Sequence, residues 1–260
     1  THYDTQHNVF VQVQGTKRFL LFPPGTELYS YPNVHRCYRQ SQVHLEEPRT
    51  TALTARFPLV YPGAVTAYEV VLGPGDILYI PPFWQHRVES VRLSLSLSIL
   101  SPSYLEAALA EVYWENVPFG AFQATRDLRA RAVHMYLTLL LSHLPSNVVS
   151  TSLAEFSQQL YATRFASLDM RHNKYPGLIT DKAKGSSSCF PPPDGNTTAL
   201  VEESREKMAS TAHKVAALLG AVKTSNAAVK VIFLRDYFEQ LVRWAVGPDY
   251  TAAFIADCLK

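Results

Sequence analysis

A series of short alternating segments, separated by glycine and proline turns, occupies roughly the first hundred residues and most constrains the fold. Segment 93–99 reads Leu-Ser-Leu-Ser-Leu-Ser-Ile, a strict two-residue alternation that is typical of a β-strand. Segments 8–14 and 17–22 alternate on either side of Gly15, which predicts a β-hairpin. Further strands are predicted over 66–72, 76–80 and 86–91. Short strands with Gly and Pro turns favour an antiparallel barrel or jelly roll.

Beyond Pro102 the pattern changes to helical periodicity. Ser103 is predicted to cap a helix over about 104–116, and residues 184–198, rich in Ser, Pro and Gly, predict a flexible linker. Other helices are predicted over about 121–144, 151–166, 199–222 and 227–246, with a last one ending at Leu259. The predicted organisation is a partial barrel over 1–102, a helical extension over 103–183, the linker over 184–198, and C-terminal helices over 199–260.

Composition excludes several classes of protein. Apolar residues make up 47% and charged residues 18% of the 260 residues, which is enough for a core and argues against a disordered chain. The net charge of +2 gives no strong signal for nucleic-acid binding, and no apolar run is long enough to cross a membrane. Three scattered cysteines, Cys37, Cys189 and Cys258, argue against a disulfide scaffold and a zinc ribbon.

The chain begins at Thr1 without an initiator Met and runs at once into sequence with candidate functional residues. This start predicts a fragment of a longer chain, whose targeting signals therefore cannot be observed. The expected location is the cytoplasm, the nucleus or both.

Two histidines and an aspartate are candidate metal ligands. His2 and Asp4 lie two residues apart, so on an extended chain their side chains face the same way. His86 follows a predicted strand and a Pro-Pro turn, and could add a third ligand from a neighbouring strand. Two His and one carboxylate form the facial triad of non-haem Fe(II) oxygenases, which leaves coordination positions open. The alternative is that His86 is a turn residue and His2 belongs to a frayed terminus.

Lys17 gives a second indication of a ligand site. It shares strand parity with Phe19 and Leu21, and a lysine on an apolar face needs an anion beside it. A dicarboxylate that chelates iron through one end would supply this anion at its other end. Asn8 shares parity with His2 and Asp4 and could hydrogen-bond the same ligand. The alternative for Lys17 is an edge lysine whose ammonium extends to water.

Together these motifs resemble the JmjC/cupin-like 2-oxoglutarate oxygenases, most closely the asparaginyl hydroxylase that inhibits hypoxia-inducible factor. The resemblance is carried by three segments: His2-Tyr-Asp with Asn8 and Gly15-Thr-Lys-Arg; Cys37-Tyr-Arg-Gln followed by Arg56-Phe-Pro; and Gly75-Asp-Ile-Leu-Tyr-Ile-Pro-Pro-Phe-Trp-Gln-His86. It covers residues 1 to about 100 and is only general beyond them. It implies a double-stranded β-helix (jelly-roll or cupin) barrel, apparently missing its first strands, followed by a helical C-terminal extension.

By resemblance, His2, Asp4 and His86 bind Fe(II), and Lys17 pairs with the distal carboxylate of 2-oxoglutarate beside Asn8. Ser98 replaces a family Asn near the end of the last strand. Arg39 and Gln40 match positions that line the peptide-substrate groove. The implied activity is that of a 2-oxoglutarate-dependent dioxygenase, a protein hydroxylase that uses Fe(II), 2-oxoglutarate and O₂ to oxidise a protein or peptide substrate, with Asn as the expected target residue.

Three alternatives stay open. The enzyme could act on methyl-lysine or RNA, because the loops that select the substrate show no deciding feature. The chain could instead be a non-catalytic cupin-like module that binds a metal or a peptide. Finally, an apolar stripe that includes Phe233, Tyr237, Leu241 and Trp244 is expected to pack against the chain's own barrel. The resemblance suggests instead a homodimer through the C-terminal helices.

Overall fold

The structure is a computed structural model. It describes residues 1–60, 65–168, 175–176, 179–181, 186–190, 192–224 and 226–259. The chain divides into two compact units. The first consists of Thr1–Tyr31, His35–Ala110 and Lys223–Val229. The second consists of Pro32–Val34, Glu111–Val222 and Lys230–Lys260.

The first unit is built from antiparallel strands. They are β1 (His2–Tyr3), β2 (His7–Gln14), β3 (Lys17–Phe22), β4 (Tyr68–Leu72), β5 (Ile77–Ile80), β6 (Gln85–Ser90) and β7 (Leu95–Ser101). A four-stranded sheet has the order β1-β6-β3-β4, and a three-stranded sheet has the order β5-β2-β7. Helix α1 (Thr51–Arg56) lies in the long connection between β3 and β4, and α2 (Tyr104–Trp114) follows β7. The predicted antiparallel strands are confirmed, but among the described residues the pairing does not close into a barrel.

The hairpin predicted around Gly15 is wrong, because β2 and β3 lie in different sheets. β2 pairs with β5 and β7, whereas β3 pairs with β4 and β6. Gly15 has a φ of +76°, and a Cβ at this position would lie 2.1 Å from the carbonyl oxygen of Leu93. A glycine is therefore required where the chain crosses from one sheet to the other beside the β6–β7 connection.

The core of this unit lies between the two sheets. Phe10 of β2 and Phe19 of β3 meet edge to face with ring centroids 4.8 Å apart, and Leu21, Leu72 and Ile80 complete the cluster. On β7 the serines, and not the leucines, face inward: Ser98 lies opposite Phe10, while Leu97 is 57% exposed. The alternation thus predicts the strand correctly, although the polar side of β7 is the one that shares a face with Phe10, and Ser98 on that side is exposed.

Helices dominate the second unit. They are α3 (Arg126–His143), α4 (Leu153–Arg164), α5 (Gly195–Ala221), α6 (Ala228–Val246) and α7 (Thr251–Cys258), with 3₁₀ turns at Gly120–Phe122 and Pro248–Tyr250. Helices were expected in all of these regions. None of the helices in the described part of the chain has the length and hydropathy that a membrane span needs.

Part of the segment predicted as a linker is ordered structure. Ser186–Ser188 form strand β9, which pairs with β8 (Ile179–Asp181), and Gly195 already begins α5. The carboxylate of Asp194 caps this helix by accepting a hydrogen bond from the backbone N–H of Thr197 at 2.7 Å. The linker prediction is wrong for these residues because a cap and strand pairing order a segment whose composition alone indicates flexibility. Residues 184, 185 and 191 lie outside the described residues.

The apolar stripe of α6 packs within the second unit. Phe233 and Tyr237 are buried, and both rings contact the ring of Tyr113. Trp244 stacks on Phe119 with ring centroids 4.8 Å apart. The structure thus gives most of this stripe partners inside the unit, and the homodimer stays a prediction.

Candidate metal centre

The register between β1 and β6 brings the predicted metal ligands together. His2 lies directly opposite His86 in this strand pair, so both imidazoles are on the same face of the sheet. Asp4 follows β1 directly. One ligand atom from each of the three side chains lies within 4.8 Å of the other two. Among the described residues this is the one cluster of its kind that could hold a metal ion.

The Asp4 carboxylate lies between the two imidazoles. Its Oδ2 is 3.8 Å from Nε2 of His86 and 3.9 Å from Nε2 of His2. The Nδ1 of His86 lies 3.1 Å from the carbonyl oxygen of Trp84, to which it donates a hydrogen bond. This bond fixes the tautomer that leaves the lone pair of Nε2 directed at the cluster, as metal-binding histidines require.

Burial differs sharply between the two histidines. The side chain of His86 is 5% exposed and that of His2 is 47% exposed, so the cluster is closed on the His86 side and open on the His2 side. Burial lowers the pKa of His2, repulsion from His86 lowers it further, and attraction to Asp4 opposes both. A lowered pKa keeps the imidazole neutral at physiological pH, the state in which it binds metals.

A cavity of about 380 Å³ opens beside the two histidines. Its walls include Gln40, His44 and Arg87, and the guanidinium of Arg87 forms ion pairs with Glu46 and Glu89. The cavity is therefore polar and carries both signs of charge. It offers space for a substrate next to the exposed side of the cluster.

Backbone contacts hold Asp4 in place. Phe83, at a φ of +65°, donates its backbone N–H to the carbonyl oxygen of Asp4 at 2.7 Å. The hydroxyl of Ser103 donates to the carbonyl of Thr5 at 2.8 Å, and the hydroxyl of Thr5 donates to Glu106 at 2.7 Å. The sequence predicts Ser103 as a helix cap, and its hydroxyl does accept a hydrogen bond from the backbone N–H of Glu106. The sequence did not predict that the same hydroxyl also holds Thr5, the residue after the ligand Asp4.

Lys17 extends between the sheets, as its parity predicts. Its Nζ lies over the ring of Phe10, 5.1 Å from the centroid. Within the described part of the chain, no carboxylate or hydrogen-bond acceptor pairs with this ammonium. A half-buried cation whose neighbour is an aromatic ring has capacity left for an anion.

The face of β2 and β7 beside Lys17 is polar. The hydroxyl of Ser98 donates to the side-chain oxygen of Asn8 at 2.8 Å, so these two predicted residues are in contact. Two residues further along β2, Gln12 is completely buried and accepts a hydrogen bond from Ser96 at 3.1 Å. Sequence reasoning missed Gln12 and Ser96, although both share the parity of Asn8 and Ser98. Polar side chains between two sheets are typical of a ligand pocket and not of an apolar core.

Arg39 and Gln40 lie at the edge of the same sheet as the triad. Gln40 forms an isolated β-bridge with His2. The guanidinium of Arg39 lies over the rings of Tyr3 and Tyr38, at 5.7 and 5.0 Å from their centroids. Arg39 also has a φ of +68°, an uncommon conformation for a residue with a side chain. The structure therefore places Gln40 beside the exposed side of the metal cluster, where it lines the cavity, whereas Arg39 packs against Tyr3 and does not line that cavity.

Residues 1–118 match the model of a family described as a cupin-like domain. This segment is a cupin-like domain. It includes every strand of the first unit and all three members of the candidate metal cluster. The predicted cupin class is thus confirmed for this part of the chain.

The curated relatives include a lysine-specific demethylase, a Jumonji C domain-containing protein and a tRNA wybutosine-synthesizing protein. The chain is 24% identical to the lysine-specific demethylase JMJ31 of Arabidopsis thaliana over 220 residues, which is 84% of the chain and 32% of that relative. It is 36% identical to Jumonji C domain-containing protein 5 of Drosophila melanogaster over 97 residues, 37% of the chain and 23% of the relative. It is 28% identical to tRNA wybutosine-synthesizing protein 5 of Homo sapiens over 125 residues, 48% of the chain and 33% of the relative.

The chain thus spans about a third or less of the length of these relatives. Their names describe a demethylase, a JmjC-domain protein and a tRNA-modifying protein. They support a JmjC relationship, and the narrower likeness to the asparaginyl hydroxylase stays a prediction.

Proposed function

We propose that the cupin-like domain is an Fe(II)- and 2-oxoglutarate-dependent oxygenase. The observation that carries this proposal is the convergence of His2, Asp4 and His86, with ligand atoms within 4.8 Å and one side open to a cavity. Two imidazoles and one carboxylate suit Fe(II) and leave positions for a chelating cosubstrate and O₂.

In this proposal, different residues bind the metal and the cosubstrate. His2, Asp4 and His86 hold the metal, which when bound supplies the redox chemistry that couples decarboxylation of 2-oxoglutarate to substrate oxidation. Lys17 binds the distal carboxylate of 2-oxoglutarate, with Asn8 and Ser98 as hydrogen-bonding neighbours. The buried side of His86 excludes water from one side of the centre.

The prime substrate is proposed to be a side chain in an extended segment of a protein. Support comes from Gln40, which lines the cavity beside the exposed His2 and offers an amide to a peptide backbone. The names of the relatives favour a second candidate, demethylation of methyl-lysine or oxidation of an RNA base. Hydroxylation of asparagine is the narrowest of these proposals and has the least support from the relatives.

A turnover assay separates these functions. The purified chain, loaded anaerobically with Fe(II), is incubated with 2-oxoglutarate, O₂ and pools of Asn-containing peptides, methyl-lysine peptides or tRNA. Succinate formed above the substrate-free rate, together with a product mass increased by one oxygen or decreased by one methyl group, identifies the class. The non-catalytic alternative predicts metal binding without succinate in any pool.

Lys17→Met is expected to weaken 2-oxoglutarate binding by about 10- to 100-fold while leaving Fe(II) binding intact. A hydrogen bond between charged groups is worth roughly 1.5–3 kcal/mol, and methionine keeps the volume without the ammonium. The visible metal-to-ligand charge-transfer band, followed without O₂ while 2-oxoglutarate or Fe(II) is added, gives the affinity for each of the two. Arg18→Met is the matched control, because Arg18 pairs with Glu69 and Glu89 on the exposed side of the same strand. Equal affinities in the two variants would contradict the role of Lys17.

The homodimer is tested separately. If the C-terminal helices associate, Leu241→Arg is expected to convert a dimer to a monomer, because a charge replaces an apolar side chain on the stripe. Light scattering on both proteins measures the change. A wild-type chain that is already monomeric at high concentration would contradict the dimer.

A further inference from the structure

Two cysteines of the second unit are joined in a disulfide that plays no part in the metal centre. Cys189 and Cys258 form this bond with Cα atoms 5.5 Å apart and a sequence separation of 69 residues. Both are buried, with 5% and 6% of their surfaces exposed. Disulfides of this kind persist in oxidising compartments and are rare in the cytosol and nucleus.

A glycosylation sequon lies close behind the first of these cysteines. Asn196-Thr197-Thr198 is the one Asn-x-Ser/Thr motif in the sequence, and its middle residue is not proline. Asn196 and Thr198 are both exposed, in the first turn of α5. The neighbouring residues from 192 to 195 are exposed as well, so a group attached to Asn196 would extend into solvent.

The hydrogen bonds of this turn leave the Asn196 amide unused. The cap of α5 uses Asp194, whose carboxylate accepts from the N–H of Thr197 and whose carbonyl accepts from the hydroxyl of Thr198. No hydrogen bond to the Asn196 side chain occurs among the described residues. Substitution on its nitrogen would therefore cost the folded helix no contact.

We propose that Asn196 is an N-glycosylation site and that the chain matures in the oxidising part of the secretory pathway. In the transfer step, the amide nitrogen of Asn196 attacks the first sugar carbon of a polyprenyl-diphosphate-linked oligosaccharide. The new N–C bond forms as the C–O bond to diphosphate breaks, the amide loses one proton, and the polyprenyl diphosphate leaves. The two thiols of Cys189 and Cys258 lose two electrons and two protons to a disulfide oxidant, which is reduced to a dithiol.

The disulfide and the sequon support the proposal more strongly together than either does alone. A sequon in a polar loop arises by chance, and a buried pair of cysteines can remain reduced in the cytosol. The presence of both a disulfide and an exposed sequon points to a compartment that supplies both the oxidant and the oligosaccharide donor. This assignment replaces the expected cytoplasmic or nuclear location and does not depend on the activity of the metal centre.

The test uses the chain isolated from the cells that express it naturally, with free thiols alkylated at lysis. Peptide mapping without reduction is expected to show the Cys189 and Cys258 peptides linked. The Asn196 peptide should carry a mass increment of hexose and N-acetylhexosamine units that peptide-N-glycosidase removes, leaving Asp. Alkylated Cys189 and Cys258 with an unmodified Asn196 would overturn the proposal, and a disulfide without the glycan would overturn the modification site.

Matched variants locate the glycan. Asn196→Gln and Thr198→Ala each destroy the sequon and are expected to lose the whole mass increment. Thr197→Ala changes the adjacent residue but leaves an intact Asn-Ala-Thr motif, so it should keep the increment. Retention of the glycan in Asn196→Gln would place it elsewhere and contradict the assignment.

Discussion

Replacing Asp4 by alanine is expected to abolish the binding of Fe(II) and reduce 2-oxoglutarate turnover by on the order of a hundredfold or more. The variant leaves the two imidazoles and removes the one carboxylate ligand, whose Oδ2 lies within 4 Å of both histidine Nε2 atoms. Changes to residues that merely orient metal ligands already cost about 10- to 100-fold in affinity or activity, so loss of a ligand costs at least as much. The visible band that Fe(II) and 2-oxoglutarate form without O₂ should be absent.

His7→Ala is the matched control for this experiment. His7 is also a histidine of the first unit, but its Nδ1 lies 2.7 Å from the hydroxyl of Tyr79 and its ring is not part of the cluster. The control should retain the band and the turnover. Circular dichroism on both variants establishes that they fold. An Asp4→Ala protein that still binds Fe(II) as tightly as the control would contradict the assignment of the metal centre.

The local sequence pattern was sufficient to predict part of the candidate metal centre. His2 and Asp4 are two residues apart on an extended segment, so their proximity follows from strand geometry alone. The addition of His86 depends on the register of β1 against β6, which no local pattern determines. There the resemblance to a known family supplied what strand periodicity could not. The anchoring of Thr5 by Ser103 and Glu106 was not predicted for the same reason, because these contacts join distant parts of the chain.

Two errors in the first unit have one physical origin. Gly15 with alternating segments on both sides suits a hairpin, yet it equally suits a crossing between two sheets, and only the long-range pairing distinguishes them. On β7, alternation predicts a strand but does not determine which side shares a face with the core residues of β2. The family resemblance assigns a role to Asn8 and Ser98, which are in contact. It assigns none to Gln12 and Ser96, so their hydrogen bond on the same face of the sheet was not predicted.

The second unit was predicted as helices but not as a packed structure. Its most buried ion pairs join Arg164 of α4 to Glu239 and Asp236 of α6, and none of these contacts leaves a local signal in the sequence. The same is true of the hydrogen bond that the backbone N–H of Asn33 donates to Glu239. The disulfide between Cys189 and Cys258 was not predicted either, because cysteine pairing cannot be deduced from the spacing of cysteines in the sequence. Helix periodicity indicates which elements form, whereas the charges and thiols that meet in the core depend on the tertiary fold.

Arg164→Met is expected to destabilise the second unit by about 3–5 kcal/mol, a large part of the roughly 5–15 kcal/mol that holds a typical domain folded. The guanidinium of Arg164 lies 2.7 Å from Oε1 of Glu239 and 2.6 Å from Oδ1 of Asp236. The Glu239 side chain is completely buried and also accepts the backbone N–H of Asn33 at 2.7 Å. Without the arginine, these two buried carboxyl groups lose the cation that both of them contact.

The destabilisation caused by Arg164→Met should become smaller as the pH falls. Burial raises the pKa of Glu239, and Asp236 raises it further, while Arg164 is the main influence that lowers it. Removing Arg164 therefore raises the pKa of Glu239 in the folded state further above its value in the unfolded chain. A group with a raised folded pKa stabilises the fold as it takes up a proton, so the difference in unfolding free energy from wild type should narrow as the pH falls from neutral towards the ordinary pKa of a glutamic acid.

Urea unfolding of wild type, Arg164→Met and the control Arg205→Met measures these differences. Arg205 is an exposed arginine of α5, where a substitution should change stability by no more than about 0.5 kcal/mol. Adding Glu239→Gln to Arg164→Met removes the buried charge and should restore part of the stability, since the amide oxygen can still accept the N–H of Asn33. A deficit in Arg164→Met that is independent of pH and unchanged by Glu239→Gln would mean that packing of the arginine side chain, and not neutralisation of Glu239, is its contribution to the fold.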